Sequence, residues 1–133
     1  MTRNFGVYLV TDAGLSADRS TVEIVEAAIE GGVDIVQLRE KAASARRRYD
    51  IGLELRALTR DANVPLIVND RVDLADAIDA DGVHLGDEDL PVAAAREQLG
   101  EDAFIGRSVS TPTAAREAER NGADYLGVGA VYD

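Results

Sequence analysis

Short runs of apolar, β-branched residues alternate along this chain with segments whose apolar residues recur every three or four positions. The first pattern is that of a strand and the second that of an amphipathic helix. Their alternation predicts βα units and a parallel sheet. Val7-Tyr8-Leu9-Val10 reads as the first strand. A helix follows, opened by Ser20 and Glu23 at capping-box spacing, with Val22, Val25 and Ile29 on one face and Gly31-Gly32 at its end. Asp34-Ile35-Val36-Gln37-Leu38 is the second strand, and the next helix carries Ile51, Leu55 and Leu58 at helical spacing with Arg46, Arg47 and Arg48 on its polar side. Pro65 leads into a third strand, Leu66-Ile67-Val68, which ends at Asn69-Asp70. A short helix over 72–78 precedes the fourth strand, Gly82-Val83-His84-Leu85. Pro91 suits the first turn of the following helix and Gly100 its end. Phe104-Ile105-Gly106 is a fifth strand, Thr111-Pro112 open a helix that Gly122 closes, and Tyr125-Leu126-Gly127-Val128-Gly129 is a sixth strand.

Six strands and five helices result, with no low-complexity linker and no clear sequence repeat. Two architectures fit: an open doubly wound α/β sheet, or the first three quarters of a (β/α)₈ TIM barrel. The ending at Val131-Tyr132-Asp133, directly after an apolar strand, favours the barrel, since the helix that would cover that strand is missing. We expect residues 1–133 to form one barrel domain, truncated at its C-terminus. Six strands of an eight-stranded barrel leave two exposed edges, which invite pairing with another chain, so a homo-oligomer is among the expected states.

Composition narrows the partners. The chain has 14 basic and 25 acidic residues, a net charge of −11, which argues against nucleic acid and anionic membrane. Small-molecule substrates remain. The preference for arginine over lysine on an acidic surface suggests a protein adapted to a high-salt cytoplasm. With no cysteine, disulfides, thiolate nucleophiles and Cys-ligated metals are excluded. No secretory signal opens the sequence and no apolar run approaches the roughly 18 residues of a membrane span, so the expectation is a soluble cytoplasmic protein.

Candidate chemistry collects at the C-terminal strand ends: Thr11-Asp12, then Gln37, Arg39 and Lys41, then Asn69-Asp70, then Asp87-Glu88-Asp89, then Arg107-Ser108. In both parallel architectures ligands bind beyond these ends. Gln37, Arg39 and Lys41 sit at spacing two, so an extended backbone sends all three side chains to one face. Lys41 is the only lysine. An arginine fork beside a compact ammonium suits a phosphate or pyrophosphate; a solvated strand end is the other reading. Asp70 and Asp89, from neighbouring loops, suit one hard divalent cation such as Mg²⁺, which completes its shell with water and phosphate oxygens. Asp87 and Glu88 read instead as an acidic helix start favoured by the macrodipole. For Asp89 both readings stand. The arginine run at 46–48 reads as a solvated face. His84 has parity opposite to Val83 and Leu85 and reads as a hydrogen-bonded structural residue. Ser108 has no base nearby in sequence, so a hydrogen-bonding serine is expected and not a nucleophile.

Taken in order, these segments resemble the thiamine-phosphate synthase family: Tyr8-Leu9-Val10-Thr11-Asp12, Gln37-Leu38-Arg39-Glu40-Lys41, Asn69-Asp70-Arg71, Gly82-Val83-His84-Leu85-Gly86, Asp89-Leu90-Pro91, Gly106-Arg107-Ser108 and Gly122-Ala123-Asp124-Tyr125. The resemblance implies a (β/α)₈ barrel that joins a hydroxymethylpyrimidine pyrophosphate to a thiazole phosphate, releasing pyrophosphate with Mg²⁺ bound. It further implies that Gln37, Arg39, Lys41, Asn69 and Ser108 hold the pyrimidine pyrophosphate. Arg39, Lys41 and Ser108 then act in catalysis, with Asp70 and Asp89 as magnesium ligands. The chain departs from the family pattern in three ways. Asp87 stands where glutamine is usual, Ser110 stands where histidine is frequent, and the Thr-x-Thr-Lys loop of the thiazole-phosphate site is absent, so the resemblance implies that these 133 residues alone are weakly active or inactive. Rival readings are a thiazole tautomerase on the same barrel, a non-catalytic barrel that binds a phosphorylated ligand, and another phosphate-binding barrel enzyme. Ser110 in place of histidine, and the presence of Asp89, favour the synthase over the tautomerase.

Overall fold

The computed structural model describes residues 7–11 and 20–128. The elements are β1 (Tyr8–Val10), α1 (Thr21–Glu30), β2 (Ile35–Leu38), α2 (Ala45–Ala62), β3 (Leu66–Asn69), α3 (Val72–Ala77), β4 (Gly82–Leu85), α4 (Val92–Leu99), β5 (Phe104–Val109), α5 (Pro112–Arg120) and β6 (Tyr125–Val128). The expected alternation is present, with element ends shifted by a residue or so and two larger differences. Pro91 is the cap before α4 and not within its first turn (φ −61°, ψ 151°), while β5 runs on through Arg107 and Ser108. Asp12, Gly129 and Val131-Tyr132-Asp133 lie outside the described residues.

All strands are parallel and their order is β1-β2-β3-β4-β5-β6. A doubly wound sheet reverses direction at a switch point. This order never does, so the architecture is that of a barrel, here six strands curled into an open half. The curl can be read from one contact. Flat strands about 4.8 Å apart would place β1 and β6 some 24 Å from each other. Instead the hydroxyls of Tyr8 and Tyr125 lie 3.1 Å apart and their ring centroids 6.4 Å apart, across the concave side.

The core lies on the convex side, between strands and helices. Val36, Leu38, Leu66, Val68, Val83, Leu85 and Ile105 pack there against Val25, Ile51, Leu55, Val72, Ala75, Val92 and Ala95. Ile35 and Ile67 are as deeply buried yet stand apart from that cluster, because alternation turns them to the concave side. Two glycines permit the curl: a Cβ at Gly82 would run into the Phe104 backbone, and one at Gly106 into the Tyr125 ring.

At the N-terminal end of the strands one device recurs three times. Asp34, Asp81 and Asp124 each precede an even-numbered strand. Each carboxylate accepts from a backbone N–H within one residue of the start of the preceding odd strand: Val7 at 2.7 Å, Leu66 at 2.7 Å and Ile105 at 2.8 Å. Each aspartate N–H donates in return to the carbonyl of that same residue, at 2.9, 2.8 and 2.7 Å. Arg56 of α2 pairs with Asp81 at 2.7 Å and Arg96 of α4 with Asp124 at 2.8 Å. The sequence shows no clear repeat. The structure reveals a two-strand one, carried by three aspartates with little else in common around them.

Candidate active site

The C-terminal ends of the strands surround two adjoining cavities. One, of about 680 Å³, is lined by Lys41, Asp70, Glu88 and Asp89; the other, of about 500 Å³, by Tyr8, Gln37 and Tyr125. Arg39, Asn69, His84 and Ser108 border both. Seven residues singled out from the sequence are therefore brought together, but not as one cluster. Gln37 faces the aromatic cavity and Lys41 the charged one, with Arg39 between them.

Local backbone places the charged groups. Arg39 and Lys41 lie beyond the end of β2, where Glu40 points the other way and is buried at 5% exposure. Its carboxylate accepts from Thr21 Oγ1 at 2.5 Å and Thr11 Oγ1 at 3.4 Å, and Thr11 Oγ1 accepts from the Arg39 N–H at 2.9 Å. Thr11 thus braces the strand end and does not line the cavities. Arg48 donates to the carbonyls of Lys41 and Ala43 at 2.8 and 3.1 Å, which holds the same loop from α2. Arg46 pairs with Asp50 on the helix surface, as a solvated face would.

Asp70 adopts φ +70°, a left-handed conformation uncommon outside glycine, and its N–H donates to the His84 carbonyl at 2.9 Å. Its carboxyl is in hydrogen-bonding contact with that of Asp89, and Lys41 Nζ lies 3.8 Å from it. Burial and the Asp89 charge push the Asp70 carboxyl above its ordinary value, while Lys41 and Arg39 pull it down. Two carboxyls pressed together in this way are the situation a divalent cation relieves. Among the described residues no group of three or more His, Cys, Asp or Glu could hold a metal alone. The donor set fits Mg²⁺, which takes one or two carboxylates and draws its remaining ligands from water and phosphate.

The aromatic cavity is framed by a belt of hydrogen bonds with one residue from each strand. Asn69 Nδ2 lies 3.0 Å from Gln37 Oε1, and Gln37 Nε2 donates to Tyr8 Oη at 2.7 Å. The Tyr8 and Tyr125 hydroxyls meet, Tyr125 Oη lies 3.4 Å from His84 Nδ1, and His84 Nε2 lies 2.6 Å from Ser108 Oγ. Turned over, the Asn69 amide would donate to both Asp70 oxygens, at 3.1 and 2.9 Å, and its oxygen would face Gln37 Oε1, so the belt stays joined to the charged cavity when the Gln37 amide turns with it. Burial above all, then the Arg107 charge, hold the His84 imidazole below its ordinary pKa, and burial with the Tyr8 contact pushes the Tyr125 phenol far up. Both are neutral around pH 7. Gly127 leaves room for the His84 ring. His84 is thus the hydrogen-bond partner that no sequence neighbour offers Ser108. Its second nitrogen meets a neutral phenol and not a carboxylate, so the pair lacks the orienting acid of a nucleophilic triad.

Tyr8 and Tyr125 were missed as site residues. Aromatic residues near strand starts read as core, and only curvature brings their hydroxyls together. Arg107, placed at a polar strand end, faces away from both cavities.

The thiamine monophosphate synthase family profile matches residues 7–133. A thiamine-phosphate synthase of Natronomonas pharaonis is 76% identical over 132 residues, covering 99% of this chain and 62% of that protein. The one from Haloquadratum walsbyi is 68% identical, covering 99% and 59%. Among solved structures, a thiamine phosphate pyrophosphorylase from Pyrococcus furiosus superposes with a TM-score of 0.86 at 47% identity, over 95% of this chain and 60% of that one. The chain thus spans about three fifths of the length of the relatives it matches. On profile, identity and superposition together, it belongs to the thiamine monophosphate synthase family.

Proposed function

We propose that the protein is a magnesium-dependent transferase that joins hydroxymethylpyrimidine pyrophosphate to thiazole phosphate, giving thiamine phosphate and pyrophosphate. The observation that carries this reading is the pair of adjoining cavities. The charged one suits a metal-bound pyrophosphate, the aromatic one suits a flat heterocycle, and Arg39, Asn69, His84 and Ser108 stand where the two parts of such a molecule join.

Bound at Asp70 and Asp89, Mg²⁺ supplies positive charge against the leaving pyrophosphate. Arg39 and Lys41 donate to its remaining oxygens, each charge-assisted bond contributing about 1.5–3 kcal/mol. Gln37 and Ser108 offer hydrogen bonds to the edges of the ring, with Ser108 oriented by neutral His84. The bond between the pyrimidine methylene carbon and the pyrophosphate oxygen breaks, its electron pair leaving with the oxygen. The lone pair of the thiazole nitrogen then forms the new C–N bond. No protein nucleophile takes part, in keeping with a serine that has no complete triad. A cytoplasmic setting and small-molecule partners belong to the same proposal. Among the described residues, no helix is long and apolar enough to cross a membrane.

Calorimetry on the native protein tests this. Hydroxymethylpyrimidine pyrophosphate should bind with Mg²⁺ and at least tenfold more weakly without it, and Asp89→Ala should abolish the difference. Binding indifferent to the metal would sink the assignment.

A further inference from the structure

Gly106 and Ser108 both face the concave side of the sheet, since a Cβ at Gly106 would strike Tyr125 and Ser108 bonds His84. Alternation therefore turns Arg107, which lies between them on β5, to the convex side. There it lines a cavity of about 190 Å³, near Pro91 and α5, that shares Gly86, Asp87 and Asp89 with the charged cavity, while Arg107 itself lines neither strand-end cavity. Its guanidinium is engaged nonetheless. Nη1 donates to the Ser108 carbonyl at 2.5 Å, and Nη2 donates to Asp87 Oδ1 at 2.7 Å.

Asp87 belongs to the loop after β4 that carries Asp89. Within that loop the Gly86 N–H donates to Asp89 Oδ2 at 2.7 Å and the Asp89 N–H to the Gly86 carbonyl at 3.2 Å. These bonds set the shape of the turn but not its direction relative to β3, where Asp70 waits. Asp89 lies against the half-buried Asp70 carboxyl and follows two further acids, so repulsion favours swinging the loop outward. The bond from Arg107 opposes that swing, and the arginine is itself pinned by Ser108, with its side chain only 20% exposed.

We propose that Arg107 is a positioning residue: acting through Asp87, it holds the loop after β4 so that Asp89 faces Asp70 before a divalent cation arrives. This rests on the reading of Asp70 and Asp89 as the metal ligands. Positioning and simple electrostatics predict opposite signs. As a nearby positive charge alone, Arg107 repels a cation and its removal tightens binding; as a tether, its loss weakens binding.

The test is Mg²⁺ titration of the native protein by calorimetry at fixed ionic strength, with hydrogen exchange over residues 86–90 in metal-free protein. Arg107→Ala should weaken Mg²⁺ about three- to tenfold, toward the lower end of what outer partners contribute to a metal site, and speed exchange of the loop. Asp87→Asn keeps an acceptor oxygen and should stay near wild type, whereas Asp87→Ala should match Arg107→Ala, and the double variant should be no worse than either. Should Arg107→Ala disturb folding, the two Asp87 variants carry the comparison, since a purely electrostatic role makes them equal. Metal binding in Arg107→Ala as tight as wild type or tighter, with unchanged exchange, overturns the proposal. If wild type binds no Mg²⁺, the metal reading fails separately, and loop exchange in the variants still decides whether the tether exists.

Discussion

Burial and the Arg107 charge disfavour protonation of His84 while Asp89 favours it, and the first two prevail. The unfolded chain therefore takes up this proton at a higher pH than the folded one. The contribution of neutral His84 to stability is fully present above about pH 6.5 and is lost as pH falls below that value, with a slope of at most about 1.4 kcal/mol per pH unit. Urea unfolding between pH 7.5 and 5.5 should show this slope, and His84→Gln should lack it; an unchanged slope would assign the proton elsewhere. Asp70 acts in the opposite sense, since its carboxyl is raised and its ionised form is disfavoured in the fold at neutral pH. Mg²⁺ should accordingly raise the melting temperature, and Asp70→Asn should remove most of that rise. Lys41→Ala removes one charge-assisted contact, so under the proposed function binding of hydroxymethylpyrimidine pyrophosphate should weaken by roughly 10- to 100-fold with the unfolding midpoint unchanged. Calorimetry beside a denaturation curve checks both halves of that statement.

At the scale of elements, the Asp34, Asp81 and Asp124 devices tie each odd strand to the even strand that follows it, at the end of the strands away from the site. In barrels that end serves stability. Asp124→Ala leaves the Ile105 N–H without its side-chain acceptor and takes the carboxylate partner from Arg96, whose guanidinium keeps the Ala103 and Gly122 carbonyls, and should lower stability by about 2 kcal/mol. Asp124→Asn keeps an oxygen for Ile105 and should cost about half as much. Urea denaturation ranks the two, and equal losses would mean that the ion pair, not the backbone bond, dominates. The helices themselves were legible because their signals are local: the capping box of Ser20 and Glu23 and the Thr111 cap ahead of Pro112 involve residues three positions apart or fewer. The strand that carries Arg107 and Ser108 was cut short, because Gly106 looks like a terminator in sequence and is in fact the space that the Tyr125 ring fills.

Across the whole molecule, the belt from Asn69 to Ser108 links all six strands and depends on the meeting of Tyr8 and Tyr125. Tyr8→Phe and Tyr125→Phe should each lower stability by about 1 kcal/mol. The double variant should cost clearly less than the sum, since both remove the same contact. Full additivity in a double-mutant cycle would show that the hydroxyls are not coupled. The order of strands and helices, the preference for binding at one end of the sheet, and the chemical class of the charged residues could all be read from the chain, because periodicity, caps and strand-end polarity are properties of neighbouring residues. The open doubly wound sheet was excluded only by the strand order β1 to β6. Which polar residues share a cavity was likewise settled in three dimensions. Thr11 braces Glu40, Arg107 turns outward to Asp87, and His84 meets Ser108 from another strand, since each of those outcomes follows from the curl and register of strands far apart in sequence.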